Sequence, residues 1–398
     1  LMTFLTSIFF GLSMGAGALF AIYHGQGDEY RLKAAIIHAF FFILFITILL
    51  NIAVYLWINP ILHFLNVPTE VYALMRDYLW VIFAGITATF LYNFFSCLLR
   101  ALGNSTIPLL FLGIAAILNI ILDLSFILVL HWGVAGAAAA TVLAQFVSAL
   151  GVLLYTWHSC QTLRPNRADF HWQPGLLKEI FSLSGLTCAQ QSIMNFGILL
   201  VQGLVNSFGP IIMAAFAAAV KIDSFAYMPV QDFGNAFSTF VAQNYGAGQT
   251  ERIRQGIKKA ARLTILFSII IGALVFLLAK PLLLLFVQPQ ETDILAAGCQ
   301  YLWVVSPFYW AIGCLFLFYG LYRAIKRPGM SVILTIFSLG TRVALAYLLA
   351  APMGPIGIWL AIPIGWLLAD LVGLVYYQSQ KQQLLPKISP KPTYDSLK

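Results

Sequence analysis

Long runs of apolar residues dominate the chain and recur between short polar, Gly-containing or Pro-containing segments. A bilayer core of about 30 Å takes roughly 20 apolar residues for each spanning helix. Eleven runs reach that length, and they predict eleven transmembrane helices joined by connections too short to hold a soluble domain. The predicted spans are 2–23, 36–58, 71–98, 107–130, 134–157, 180–207, 211–239, 260–286, 294–322, 331–350 and 355–378.

Composition and charge agree with a membrane location. Of 398 residues, 61% are apolar and 9% are charged, more apolar than a soluble domain needs. The net charge of +8 does not indicate nucleic acid as a partner, because most basic residues fall into alternate loops such as Arg31–Lys33, Arg252–Lys259 and Arg323–Arg327. By the positive-inside rule those loops and the C-terminal tail are cytoplasmic, as expected for a multi-pass protein of the inner (plasma) membrane.

The two halves of the chain echo each other. GALFAIYHGQGDEYRLK superposes on STFVAQNYGAGQTERIR with an offset of 221 residues, which aligns Gly27 with Gly248. YLWVI at Tyr78 superposes on YLWVV at Tyr301 with an offset of 223. Both copies of the Gly-x-Gly turn lie on the basic side, so we predict an all-α duplicated bundle with parallel repeats.

Parallel repeats require an even number of helices in each copy, yet the first copy shows five and the second six. We therefore expect that a first helix and its lead-in, about 44 residues, precede this sequence in the full protein. The alternative is a protein with eleven helices and a broken repeat. The predicted organisation is an N-lobe at 1–157, a cytoplasmic inter-lobe loop at 158–178, a C-lobe at 179–378 and a cytoplasmic tail at 379–398.

Three segments resemble a known family. GLSMGAGALFAIYHGQGD, LLRALGNSTIPL and KIDSFAYMPVQDFGNAFSTFVAQNYGAG, in this order and spacing, resemble the MATE (multidrug and toxic compound extrusion) transporters, nearest the bacterial DinF and MepA types. The resemblance implies a 12-helix fold of two six-helix lobes around a central cavity. It also implies export of cationic or amphipathic compounds by alternating access, driven by inward movement of H⁺ or Na⁺.

The residues offer no enzyme chemistry. The five cysteines and six histidines show no paired or metal-ligand spacing, and no nucleophile constellation appears. We expect a monomer whose partners are a small-molecule substrate and membrane lipids, with no cofactor other than the coupling ion, H⁺ or Na⁺.

Ionisable groups at membrane depth are costly and usually functional. Asp123 lies well inside its predicted helix, with Asn119 four residues earlier on the same face, and Thr141 of the next helix can reach them. This set resembles the cation-coupling site in the N-terminal lobe of DinF-type members. A desolvated carboxylate with amide and hydroxyl oxygens could bind H⁺ or Na⁺, whereas the alternative is that Asp123 only hydrogen-bonds its neighbours. The family's second aspartate comes from the first helix, which we expect to precede this sequence in the full protein.

The C-lobe carries a different set of charges. Lys221 and Asp223 lie near the middle of one span and Arg342 at a similar depth in another, which predicts a buried charge cluster that locks the lobe. In the alternative, Asp223 attracts cationic substrate or changes partners during transport. Asp232 and Asp370 are predicted nearer the cytoplasmic ends, where water could solvate them. Spans 180–207 and 294–322 contain no acid, so a NorM-type cation site is predicted to be absent from this lobe.

Further polar and aromatic residues are candidates for a substrate cavity, and internal prolines for hinges. The cavity candidates, which could equally bond other helices, are Gln190, Gln191, Asn195, Gln202, Tyr227 and Asp223. The hinge candidates, which could equally be static kinks, are Pro229, Pro307 and Pro363.

A lipid-linked precursor flippase of the same superfamily is the alternative function. Such a protein should offer more basic residues for a pyrophosphate, and within its spans this chain offers Lys221 and Arg342.

Overall fold

The computed structural model describes residues 2–64, 69–164, 170 and 173–384. These residues form α-helices with a few short 3₁₀ and π turns and no strand. Eleven segments of the described residues are long and apolar enough to cross a membrane. The predicted number of spans and the all-helical class are therefore confirmed.

The helices have the following bounds. The first seven are α1 Met2–Gln26, α2 Glu29–Phe64, α3 Thr69–Ala84, α4 Ile86–Ala101, α5 Thr106–Leu124, α6 Gly133–Ser159 and α7 Pro174–Asn206. The other seven are α8 Pro210–Gly246, α9 Thr250–Leu277, α10 Ala279–Leu283, α11 Thr292–Val305, α12 Tyr309–Ala324, α13 Pro328–Met353 and α14 Pro355–Leu384.

Several helices extend beyond their predicted spans into polar sequence. Helix α2 begins at Glu29 rather than near residue 36, and α8 continues to Gly246. The hydropathy pattern marks only the part of a helix that suits hydrocarbon, whereas Glu, Lys and Arg are good helix formers in the flanks. Helix bounds are therefore wider than membrane bounds.

The chain divides into two compact units, residues 1–188 and 189–398, and the division falls inside α7. The lobe boundaries expected at 157 and 179 stay a prediction.

Close helix packing holds the first unit together. Helix α1 packs against α2 and α4, and α5 packs against α6. Gly15 of α1 lies against the backbone of α7, where a Cβ atom would come within 2.5 Å of the Ser184 Cα. The rings of Phe20, Phe40 and Phe94 meet at centroid distances of 5.4 to 5.8 Å in the core beside α4.

The second unit repeats this arrangement. Helix α8 packs against α12, and α13 packs against α14. At Gly320 of α12, a Cβ atom would come within 2.6 Å of the Gly234 carbonyl oxygen of α8. The ring of Trp359 stacks on Phe216 and meets Tyr301 edge-on, which fills the core between α8, α11 and α14.

The turns at the ends of α1 and α8 confirm the duplication in backbone conformation. Gly27 and Gly248 have φ values of 68° and 70°, a region that glycine enters without the steric penalty of a Cβ. In each turn the residue after the glycine donates its N–H to a carbonyl five residues earlier, from Asp28 to Tyr23 and from Gln249 to Asn244. This is the usual glycine-terminated helix end, placed twice at an offset of 221.

One span in each copy is broken. Gly85 separates α3 from α4, and a 3₁₀ turn, Ser306–Phe308, separates α11 from α12. Pro307 lies in that turn, 222 residues after Gly85, so the break is part of the repeated unit. Pro229 and Pro363, in contrast, lie inside the continuous helices α8 and α14. Whether any of the three prolines acts as a hinge stays a prediction.

Candidate functional site

Two of the three residues predicted as a cation site, Asn119 and Thr141, are joined by a hydrogen bond between α5 and α6. Asn119 and Asp123 are one turn apart on α5, and the Asn119 amide donates to the Thr141 hydroxyl oxygen of α6 at 3.4 Å. The Thr141 hydroxyl in turn donates to the Ala137 carbonyl at 3.0 Å. These two hydrogen bonds therefore fix the orientation of the Asn119 amide on α5 and of the Thr141 hydroxyl on α6.

Asp123 itself is partly exposed, but its Oδ1 atom is buried and has no hydrogen-bond partner among the described residues. A buried acceptor without a donor is costly, so binding a proton or a small cation there would be favourable. Immediately after Asp123 the helix widens into a π turn, Ser125–Val129. Such turns occur often at functional sites, because they change the aim of side chains within one helix.

A polar extension of this site was missed by the sequence reasoning. Gln145 lies one turn beyond Thr141 on α6, and its Oε1 accepts the Thr89 hydroxyl of α4 at 3.3 Å. The amide of Asn93 donates to the Thr89 carbonyl at 2.8 Å. Thr141, Gln145 and Ser148 follow one another at spacings of four and three residues, and that helical stripe was the available signal.

In the second unit Asp223 is buried and is held by two tyrosines. The Tyr301 hydroxyl donates to Asp223 Oδ2 at 2.5 Å, and the Tyr309 hydroxyl donates to Oδ1. The tyrosines lie on either side of the 3₁₀ break between α11 and α12. Hydrogen bonds to a carboxylate are short and about twice as strong as neutral ones, so they tie α8 to both halves of the broken span.

Of the predicted buried charge cluster of Lys221, Asp223 and Arg342, Lys221 lies apart from the other two. Lys221 is exposed, and its ammonium lies over the Phe286 ring at 5.6 Å. Residues two apart on a helix point to nearly opposite sides, so Lys221 faces away from Asp223. Arg342 is close enough to act electrostatically on Asp223, yet within the described residues no ion pair of 4.0 Å or less includes any of the three.

Replacing both tyrosines, Tyr301→Phe and Tyr309→Phe together, is expected to destabilise the protein. Each change removes a donor from a buried carboxylate, and a hydrogen bond to a charged group contributes about 1.5–3 kcal/mol. Thermal unfolding in detergent measures the effect, with Tyr347→Phe at an exposed hydroxyl as the control. If the double variant unfolds at the same temperature as Tyr347→Phe and wild type, the two tyrosines do not stabilise the protein through Asp223.

The predicted substrate-cavity residues on α7 bond mainly within their own helix. The Asn195 amide donates to the Gln191 carbonyl at 3.1 Å, and the Gln202 amide donates to Asn206 Oδ1 at 2.9 Å. Gln190 is buried, and its Oε1 has no partner among the described residues. Tyr227 of α8 is partly buried, with its ring 6.3 Å from Phe316. A substrate role for these residues stays a prediction.

Within the described ranges, no group of three His, Cys, Asp or Glu side chains is placed to hold a metal ion. A cation-coupling role for Asp123, Asn119 and Thr141 stays a prediction.

Comparisons with known proteins agree on one family. The MatE family profile matches residues 1–125 and 187–348. The probable multidrug resistance protein YpnP of Bacillus subtilis is 30% identical over 378 residues, 94% of this chain and 84% of YpnP. A Shewanella oneidensis protein described as an FAD transporter is 24% identical, over 95% of this chain and 84% of its own. The fold is similar to an outward-facing multidrug resistance MATE transporter of the MOP superfamily, with a TM-score of 0.91, 22% identity and coverage of 96% of this chain and 86% of that one.

Proposed function

The chain belongs to the MATE family of membrane transporters, and from this we propose that it is a secondary antiporter exporting cationic or amphipathic small organic compounds in exchange for H⁺ or Na⁺. That it is a multi-pass transporter and not an enzyme follows from the family itself. The coupling ion, the substrate class and the membrane in which it acts are the proposed parts.

The observation that carries the proposal is the polar site at Asp123. The Asp123 Oδ1 atom is buried without a donor, and one turn earlier on the same helix Asn119 is hydrogen-bonded to Thr141 of α6. Asn119 supplies a carbonyl oxygen and Thr141 a hydroxyl oxygen, which with the carboxylate are ligands that a hard cation accepts. A proton on Asp123 would neutralise the same buried charge.

Ion binding at this position can bias a conformational equilibrium. An ion shifts the equilibrium between two conformations only to the extent that its affinities for them differ. A carboxylate that is buried in one conformation but hydrated in the other provides such a difference. Export then follows if the substrate binds better in the state that the ion disfavours. The π turn after Asp123 gives α5 a place where the helix can change its path locally.

The proposed setting is the inner membrane, with a monomer whose C-terminus is cytoplasmic. The basic residues of alternate loops support this orientation through the positive-inside rule. Lys221, one of the two basic residues that would bind a pyrophosphate in a flippase, lies over the Phe286 ring, so its placement does not support that alternative.

Proteoliposomes test this proposal and identify the ion. The full-length protein is reconstituted with a fluorescent organic cation, and a pH gradient or a Na⁺ gradient is imposed separately. One of the two gradients is expected to drive the cation against its own concentration gradient. Movement that only runs down the cation's own gradient under both conditions would contradict antiport.

A further inference from the structure

Asp370 is an acid of the second unit that takes no part in the proposed ion coupling at Asp123. It lies inside the spanning part of α14, 15 residues after Pro355 and 10 before Gln380. Both of its carboxylate oxygens are buried, and neither has a hydrogen-bond partner among the described residues. The expectation that water could solvate Asp370 is therefore wrong.

Tight packing of α12 against α14 explains the exclusion of water. A Cβ at Gly373, three residues after Asp370, would come within 3.1 Å of the Phe318 ring, and the Tyr322 hydroxyl donates to the Gly373 carbonyl at 2.7 Å. On the other side, a Cβ at Gly365 would come within 2.5 Å of the Ser338 carbonyl oxygen of α13. The acid is thus enclosed between three packed helices.

Among the described residues, the groups around Asp370 do not include a neutralising cation within 4.0 Å. Cys314 and Tyr319 of α12 lie close enough for electrostatic interaction with it. The Arg323 guanidinium of α12 instead donates to Ser238 and Asn235. On α13, Arg342 lies beside Gly365, more than one turn before Asp370. No ion pair of 4.0 Å or less reaches Asp370 within the described part of the chain. The other titratable groups on these helices are Asp293, Cys299 and Tyr301 of α11, Tyr309 and Tyr322 of α12, Tyr347 of α13, and Tyr376, Tyr377 and Lys381 of α14.

From this arrangement we propose that Asp370 is a second proton-binding site, located in the second unit, which holds a proton while the lobe is packed as described. An ionised carboxylate with neither donors nor a cation is far less favourable in such a place than the neutral acid. A Na⁺ ion fits less well, because hard cations take several oxygen ligands and the nearby thiol of Cys314 is a soft one.

The site gives each unit one acid that can carry a proton, Asp123 in the first and Asp370 in the second. Its part in transport rests on the proposed antiport function, whereas its protonation does not. The polar stripe of α13 leads from its surroundings toward Asp223: Ser331, Thr335, Ser338 and Arg342 follow one another at spacings of four, three and four, and Tyr319 lies close to Thr335. These hydroxyl groups could pass a proton along α13 if a rearrangement admits water.

Infrared spectroscopy of the reconstituted full-length protein tests the protonation directly. A protonated carboxyl has a C=O stretching band that a carboxylate and an amide lack. At neutral pH in choline chloride, wild type is expected to show a band that Asp370→Asn removes and that Asp123→Asn and the exposed-site control Asp232→Asn retain. A band set unchanged by Asp370→Asn overturns the proposal, and so does loss of the Asp370 band when Na⁺ replaces choline.

A second measurement uses wild-type protein and so does not depend on the folding of a variant. A lipid-soluble carbodiimide takes up the acid proton on one nitrogen while the carboxylate oxygen bonds to its central carbon. The O-acylisourea then rearranges to a stable N-acylurea, with nothing released. Peptide mapping is expected to place the adduct on Asp370, whereas absence of both adduct and band overturns the assignment. If the Asp370 band is present but neither a pH gradient nor a Na⁺ gradient drives transport, the proposed antiport function is refuted, whereas the proton-binding site at Asp370 is still supported.

Discussion

Asp123→Asn in the full-length protein is expected to reduce export of a fluorescent cation to the level of cells without the transporter. Asparagine keeps the size of the side chain, but it cannot take up or release a proton and carries no charge for Na⁺. Because one uncompensated buried oxygen provides the proposed coupling, partial activity is not expected. Efflux from energised cells measures the result, with protein in the membrane quantified in parallel.

The matched control is Asp77→Asn, the same chemical change at an exposed acid of α3 beside Arg76. Export by this variant should equal that of wild type. Undiminished export by Asp123→Asn, with normal membrane insertion, would refute the coupling role.

The second large effect is structural. Gly15→Ala is expected to destabilise the first unit, because the added Cβ would lie 2.5 Å from the Ser184 Cα and 2.6 Å from the Leu183 carbonyl oxygen. Both are backbone atoms of α7, so relief requires α1 and α7 to separate. Overpacking of this kind costs about 1–3 kcal/mol and occasionally more. When samples are heated and then analysed by size-exclusion chromatography, Gly15→Ala should lose its folded peak at a lower temperature than wild type.

Gly185→Ala is the control for this substitution, since a Cβ at Gly185 meets nothing within 4 Å. In a helix interior the exchange of glycine for alanine is slightly stabilising by itself, by roughly 0.5–1 kcal/mol. Relative to wild type, the thermal stability of Gly15→Ala should fall and that of Gly185→Ala should rise slightly. Equal stability of the two variants would mean that α1 and α7 are not in backbone contact.

The helices and the duplication were predictable because each leaves a repeated local signal. Hydrophobic length marks every span, and the positive φ values of Gly27 and Gly248 explain why glycine stands at both positions. The spacing of Asn119 and Asp123 placed them on one face, and a hydroxyl on the neighbouring helix completed the set. Each of these predictions depends on residues within one helix or two neighbouring helices.

What could not be predicted depends on contacts between residues far apart in sequence. Nothing near Asp223 indicates that Tyr301 and Tyr309 bond it, 78 and 86 positions away. The break at Gly85 lies in a run whose composition reads as one span, whereas Pro307 marks its counterpart.

Two errors had different physical origins. Lys221 was grouped with Asp223 by depth in the membrane, although a separation of two residues already puts them on opposite helix faces. The position of Asp370 toward the end of its span predicts that water could solvate it, but the close contacts at Gly365 and Gly373 enclose it. Burial of that kind depends on which helices pack together, and depth along one helix does not reveal it.

Substrate-induced ion movement in proteoliposomes tests the central claim most directly. Substrate is added on one side, and movement of H⁺ and of Na⁺ is recorded for wild type and Asp123→Asn at equal protein content. Wild type is expected to move one of these ions in exchange for substrate, and Asp123→Asn to move neither. The same ratio of ion to substrate in both proteins would show that coupling does not pass through Asp123.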